Sequence, residues 1–292
     1  MKRTVEIAGG GIAGLTTGLA FAQKGWRVRV HEQDSALRVL GAGIYIWENG
    51  LRVLDALGVL PRVIAGVTPA SRHEKRDHGG KAFASSRTGL DFRLYVPLRE
   101  TLLTALHEAL VATGGEVVFN SRAVAADPGG WLHFADGSSR RADLIVGADG
   151  ISSPVRESLG LLEWRRPANQ FGYRAMIRRE PAELETEGAS THCEHWNGSR
   201  RLLFAPCTAE LADVQLTSLV GDSLGMECRS TAVFGVRCSP IWLGSSTASP
   251  TMGAATGLRS SGSGVGRAAR WRSSARRPVR SRLSSTRGAV AR

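Results

Sequence analysis

From Cys228 to Arg292 the chain has no aspartate, no glutamate and no lysine, while twelve arginines fall in that stretch. The segment therefore carries the whole formal charge of +12, and residues 1–227 balance 26 basic against 26 acidic side chains. A basic protein usually points to an anionic partner such as nucleic acid or a membrane surface. Here the body is neutral, so neither partner is expected of it. Cysteine is scarce as well. Cys193, Cys207, Cys228 and Cys238 are the only four, and their spacing matches neither a zinc site nor a disulfide framework. Reduced thiols, no metal and a cytoplasmic location follow as expectations. No apolar run reaches the length of a bilayer span. The opening MKRTVEIAGGGIAGLTTGLAFA has the charge and the Ala20-Phe21-Ala22 end of a signal peptide, but its glycine spacing argues for a folded motif. At 292 residues and 42% apolar content, one large domain or two modest ones can form a core.

The stretch TVEIAG alternates and reads as a strand, IAGLTTGLAFAQKG has helical apolar spacing closed by Gly25, and WRVRVHE reads as a second strand. Gly9, Gly11 and Gly14 thus occupy G-x-G-x-x-G between strand and helix, with Glu32 ending the second strand. Gly9 permits the tight turn and Gly11 lets a pyrophosphate approach the backbone. Gly14, followed by Gly18, allows close helix packing. Phosphates suit the unpaired N–H groups at the helix start, and Glu32 can accept hydrogen bonds from both ribose hydroxyls.

Farther on, GAGIYIWENGLRVLDALGVL places Gly41 and Gly43 in a turn ahead of an amphipathic helix bearing Leu51, Leu54 and Leu57. LYVPLRETLLTALHEALVATGG runs from a strand into a helix with Arg99 in its first turn, where a cation opposes the helix dipole and points to a nearby anion. WLHFADGSSRRADLIVGADG predicts a hairpin turning at Asp136-Gly137 and then a buried strand, and SSPVRESLG a short helix. Residues 169–220 read as strands with a turn at Asn197-Gly198. His192 and His195 fall on opposite faces of one of them, which excludes a shared metal.

Together GGGIAG with Glu32, GAGI with NGLRVLDALGV, Arg99 in LRETLLTAL, and GADGISSPVR resemble the FAD-dependent aromatic hydroxylases of the p-hydroxybenzoate hydroxylase fold, the group A flavoprotein monooxygenases. GAGIYIWENGLRVL and RRLLFAPC are most similar to the 2-methyl-3-hydroxypyridine-5-carboxylate oxygenases. The resemblance covers about residues 3–225. It implies an α/β fold: a Rossmann-like FAD-binding domain of sheet, helices and β-meander from residues 1–70 and 97–165. Residues 71–96 and 166–225 form an interleaved, mostly antiparallel substrate-domain sheet. FAD would be held by Gly9, Gly11 and Gly14 at the pyrophosphate, Glu32 at the ribose, Arg38 and Arg99 along the phosphate and ribityl region, and Asp149 with Gly150 at the ribityl chain and pyrophosphate, with Gly43 also among the cofactor-binding residues. NADH or NADPH would be the co-substrate, and O2 would hydroxylate a small aromatic substrate through a flavin hydroperoxide. Arg174 and Arg201 would orient the ring's carboxylate or phenolate, since a planar guanidinium binds such anions bidentately. Each arginine has a plain alternative as a surface or strand charge, and Asp149 as a helix cap. Near Gln215, where those oxygenases suggest a phenol-binding tyrosine, there is none.

A third cofactor motif of the family, close to GDAAH…P…GQG, has no counterpart in this frame. Residues 226–292 read instead as an Arg/Ser/Gly/Ala tail, either disordered or translated out of frame from GC-rich DNA. Joining the last base of each codon to the first two of the next permits VPVDR over Glu227–Thr231, FPYLAGLIDRIA over Cys238–Ser249 and LAIVGEAARAQPPQLNQGGGC from Arg270 onward. These follow the family order, with Glu for Asp in the GD pair and Arg for the later His, and suggest a one-base frame change near Gly225. Four functions stay open: the monooxygenase, a catalytically dead truncated flavoprotein, a non-oxygenating FAD oxidoreductase, and a basic-tail nucleic-acid-binding protein.

Overall fold

The computed structural model describes residues 2–38, 42–87, 92–179, 184 and 188–222. Gly41 and the 226–292 segment, with its frame-change reading, lie outside them. Strand β1 (Thr4–Ala8), helix α1 (Ile12–Gln23) and strand β2 (Arg27–His31) form the expected parallel βαβ unit. The helix buries Gly14, Leu15, Gly18 and Leu19, which its 3.6-residue period brings to one face. Its glycines divide their work more finely than the spacing alone implies. A Cβ on Gly18 would lie 3.0 Å from Val30 Cγ2 and 3.3 Å from Leu110 Cδ2, so Gly18 lets the helix settle on its neighbours; a Cβ on Gly14 would meet the Gly9 carbonyl oxygen at 1.8 Å.

The two-residue strand β3 (Ile46–Trp47) leads into α2 (Glu48–Ala56) and α3 (Leu60–Val63). Leu51 and Leu54 of α2 are buried, as the amphipathic pattern predicts. The chain then leaves for a second sheet through β4 (Arg72–Arg76) and β5 (Ala82–Arg87), and returns by β6 (Leu94–Tyr95), antiparallel to β3. Helix α4 (Arg99–Ala112) packs on α1, and β7 (Glu116–Val118) joins β2 in parallel. A meander follows, β8 (Ala123–Asp127), β9 (Trp131–Phe134) and β10 (Ser139–Arg141). Its last turn passes through Gly137 at φ +85°. Strand β11 (Leu144–Gly147) pairs with the free side of β1, giving a parallel sheet in the order β11-β1-β2-β7. Ile7, Leu15, Leu19, Leu51, Leu102, Leu106 and Leu110 fill the space between this sheet and its helices with no exposed surface or almost none. Burial of each such side chain contributes roughly 1.5–3 kcal/mol.

After α5 (Pro154–Ser158), capped by the Ser153 hydroxyl accepting the Arg156 N–H, four long strands build the second sheet. These are β12 (Gln170–Arg178), β13 (Thr191–Asn197), β14 (Arg200–Pro206) and β15 (Leu211–Leu219). The order is β12-β15-β14-β13-β4-β5, antiparallel except for the β13–β4 pair. Alternation sorts its side chains. Tyr173, Leu202, Phe204, Val214 and Leu216 cluster on one face. The other carries a row of Arg174, Gln215, Leu203, Glu194 and Lys75, flanked by Arg201 paired with Trp196 and Thr217.

Candidate functional site

The carboxyl ends of β11, β1 and β2 bring three sequence motifs to one place, where parallel sheets bind ligands. Gly9 turns at φ +101°, and a Cβ there would sit 2.4 Å from the Ala148 carbonyl oxygen and 2.9 Å from Asp149 Cα. No L side chain fits that conformation or that contact. Gly11 caps the N-terminus of α1 with extended backbone, and a Cβ on it would meet nothing within 4 Å. Glu32 Oε2 accepts the Gly10 N–H at 2.8 Å, and Oε1 accepts the Asp34 N–H at 3.0 Å. Asp149 Oδ2 accepts the Val155 N–H at 3.2 Å, so part of its role is the helix-capping one. Its Oδ1 is buried with no hydrogen-bond partner. A buried acceptor left unsatisfied costs about 1–3 kcal/mol, which a ligand hydroxyl would relieve. Gly150 follows at φ +92° with open space beside it.

One supporting group was not legible in sequence. The His31 carbonyl accepts the Gly9 N–H at 2.7 Å. Its ring is held between Glu6 Oε2 at 2.6 Å and Ser121 Oγ at 2.8 Å, and Arg29 Nη1 bonds the other Glu6 oxygen at 3.0 Å. A buried polar chain thus braces the Gly9 turn. Two expected cofactor cations stand differently. The Arg38 side chain is 65% exposed and pairs with Asp34 at 3.2 Å, a surface ion pair. Arg99 starts α4, its side chain exposed and its N–H bonded to the Ala42 carbonyl at 2.9 Å.

Gly43 stands where the two sheets meet. It bridges to Leu98, and a Cβ on it would lie 2.6 Å from Val96 Cγ1 and 3.0 Å from both Asp213 Cβ and Cys207 Sγ. Arg174 does not simply point at a vacant pocket. Its Nη2 donates to Asp213 Oδ2 at 2.6 Å and to the Gly43 carbonyl at 2.5 Å. Arg201 lies over the Trp196 ring, 5.7 Å from its centroid, with Nη1 3.7 Å from Glu194 Oε2 and a buried Nε that has no partner.

Glu194 joins this face together, since its carboxylate also meets His73 Nε2 at 3.2 Å and the Trp196 indole N–H at 3.1 Å. Burial alone would raise its pKa; His73 and Arg201 outweigh that and hold its carboxyl below the ordinary range. His192 is buried with both ring nitrogens unpartnered, edge-on to Tyr45 at 5.5 Å. Burial, helped by the charge of His73, pushes it down to about 3, so it is neutral at pH 7. His195 faces the opposite side beside Cys193, Sγ to Nε2 3.3 Å, and no cluster suited to a metal occurs among the described residues. Burial pushes the Cys193 and Cys207 thiols up, to about 11 and about 12, which makes them unreactive as nucleophiles.

Residues 2–274 match the FAD binding domain family. A probable 2-heptyl-3-hydroxy-4(1H)-quinolone synthase from Rhodococcus erythropolis is 39% identical over 218 residues, 74% of this chain and 57% of that protein. A 2-heptyl-3-hydroxy-4(1H)-quinolone synthase from Mycobacteroides abscessus is 38% identical over 229 residues, 76% of this chain and 61% of its own length. The tetrameric form of 2-methyl-3-hydroxypyridine-5-carboxylic acid oxygenase superposes with a TM-score of 0.71 at 39% identity, over 77% of this chain and 61% of that one. The chain thus spans about three fifths of the length of these relatives. The glycine cradle, the Glu32 carboxylate beside it and the unsatisfied Asp149 oxygen fit the nucleotide those matches call for, and the chain belongs to the FAD binding domain family.

Proposed function

We propose that the protein is an FAD-dependent monooxygenase hydroxylating a nitrogen heteroaromatic or aromatic ring with NADH or NADPH and O2. Gly9, Gly11, Gly14 and Glu32 would hold the adenosine and pyrophosphate, with Gly43, Asp149 and Gly150 along the ribityl side. FAD, when bound, supplies the electron transfer from the nicotinamide and the activation of O2 that ring hydroxylation requires. The observation that carries the reading is a shared wall: the Gly43 segment is hydrogen-bonded to the sheet face that bears Arg174, Gln215, Arg201 and Glu194. A cofactor on one side of that wall and a ring on the other would be adjacent. Arg201 is the residue for the ring's oxyanion, because its buried Nε has a donor to spare and Glu194 with Trp196 fixes its plane. The relatives' names support the ring class, a 3-hydroxyquinolone as the compound synthesised in one case and a hydroxypyridine carboxylic acid as the compound oxygenated in the other.

The test is the visible spectrum of the purified protein with added FAD, followed by NAD(P)H oxidation with pyridine and quinolone rings under isotopically labelled O2. Bound flavin, ring-stimulated oxidation and labelled hydroxylated product are expected. Flavin reduction with no labelled product from any ring would favour a non-oxygenating oxidoreductase, and no flavin uptake would overturn the reading for this polypeptide. A second reading is a catalytically dead form whose frame changes near Gly225, and it rests on residues 226–292, which in the present frame are an Arg/Ser/Gly/Ala stretch without acids or lysine after Glu227. Sequencing the gene and weighing the native protein decides it; a conventional frame through codon 292 in an active enzyme removes it. The proposed cytoplasmic location rests on the free, buried Cys193 and Cys207, and no described helix is long and apolar enough to cross a membrane.

A further inference from the structure

Asp213 is fully buried, and its one ion pair among the described residues is with Arg174. Buried carboxylates are costly unless paired and hydrogen-bonded, so a fold that keeps one has a use for its position. Here both backbone polar groups of one residue, on either side of its Cα, are gripped. The Gly43 N–H faces Asp213 Oδ1 at 3.4 Å, and the Gly43 carbonyl accepts from Arg174 Nη2 at 2.5 Å. The same Nη2 reaches Asp213 Oδ2 at 2.6 Å, and Gln215 Nε2 adds a third donor at 3.1 Å. Arg174 and Asp213 sit in neighbouring rows of β12 and β15, so the sheet holds them rigidly with respect to each other. Gly43 is 170 residues from Asp213 and 131 from Arg174, so only the folded sheet can make this contact.

We infer that Arg174 and Asp213 form a clamp through which the second sheet positions the Gly43 segment, making Arg174 a positioning residue rather than a substrate anchor. The clamp explains why Gly43 is glycine, since any side chain would be driven into Val96, Cys207 and Asp213. It also accounts for Arg174 Nη2, which the bonds to Gly43 and Asp213 share, and the guanidinium's charge is matched by Asp213. The functional consequence rests on the reading that Gly43 borders bound FAD. Displacing this segment would change the flavin's surroundings while leaving the nucleotide end, at Gly9 to Glu32, intact.

The experiment uses the full chain carrying Asp213→Asn, Arg174→Met, both together, and Gly43→Ala. Each is compared with the parent for FAD affinity, bound-flavin visible spectrum and fluorescence, and the rate of NAD(P)H oxidation. The expected result for Asp213→Asn, Arg174→Met and the double variant is FAD affinity within about threefold of the parent, set by the nucleotide end, with a shifted flavin spectrum in these three and in Gly43→Ala. The double variant should show little more change than either single one, because residues acting as one unit are not additive. Gly43→Ala moves the segment while leaving both charged groups of the ion pair in the chain, and keeps the test valid if a charge variant fails to fold. A parent that binds FAD, together with soluble variants of unaltered spectrum or independent, additive effects, overturns the clamp. A parent that binds no FAD instead overturns the function on which it rests.

Discussion

Replacing Gly11 by alanine should separate cofactor binding from folding. Gly11 has φ −76° and ψ −175°, a conformation open to any L residue, and an added Cβ would have no neighbour within 4 Å. In the free protein the methyl gains up to about 1 kcal/mol by restricting the unfolded chain. Alanine is a poorer N-cap than glycine, which removes a similar amount. The apo stability should therefore change by less than about 1 kcal/mol. Bound pyrophosphate would have to occupy the space the methyl enters, and overpacking of that kind costs about 1–3 kcal/mol. FAD affinity should fall about 5- to 150-fold. Gly14→Ala is the contrast, because its Cβ would stand 1.8 Å from the Gly9 carbonyl oxygen within the protein itself. That variant should lose apo stability as well as FAD. The assay pairs thermal unfolding of the apo forms with a fluorescence titration of FAD. Parent-like affinity in Gly11→Ala, or an apo stability as damaged as in Gly14→Ala, would refute the reasoning.

Glu32→Gln keeps one acceptor but sets an amide N–H2 toward the Gly10 or Asp34 N–H; FAD titration should show affinity reduced about tenfold, the worth of one lost hydrogen bond. His192 is held at about 3 in the fold against an ordinary 6.5. Between those values the unfolded chain binds more protons than the native one, so stability is full above pH 6.5 and declines as pH falls toward 3. Urea midpoints should show that slope flattened in His192→Phe, and an unchanged slope would contradict the assignment. Arg201→Lys keeps the charge but loses the fork held by Glu194 and Trp196; KM for an anionic ring should rise about tenfold or more at nearly unchanged FAD affinity, by steady-state kinetics and titration.

How far the site can be read without coordinates depends on how far apart its parts lie along the chain. Gly9, Gly11, Gly14 and Glu32 fall within one βαβ unit, where turn geometry, helix period and strand alternation are local properties. The same holds for the strand-to-helix passage at Arg99 and the turn at Asp136-Gly137. Arg38 was legible only as a charge, and the fold turns it to Asp34 at the surface. Nothing local links Glu6 to His31 and Ser121, or marks His73 as the partner of Glu194, because those contacts arise from strands inserted between distant segments. Amino-acid order by itself determined the βαβ unit with its glycine turn, since strand, turn and helix each depend on neighbours in the chain. Only tertiary structure decided that Arg174 serves Gly43 and Asp213, while Arg201 keeps a free donor. Which partner a buried charge finds is set by sheet register across more than a hundred residues.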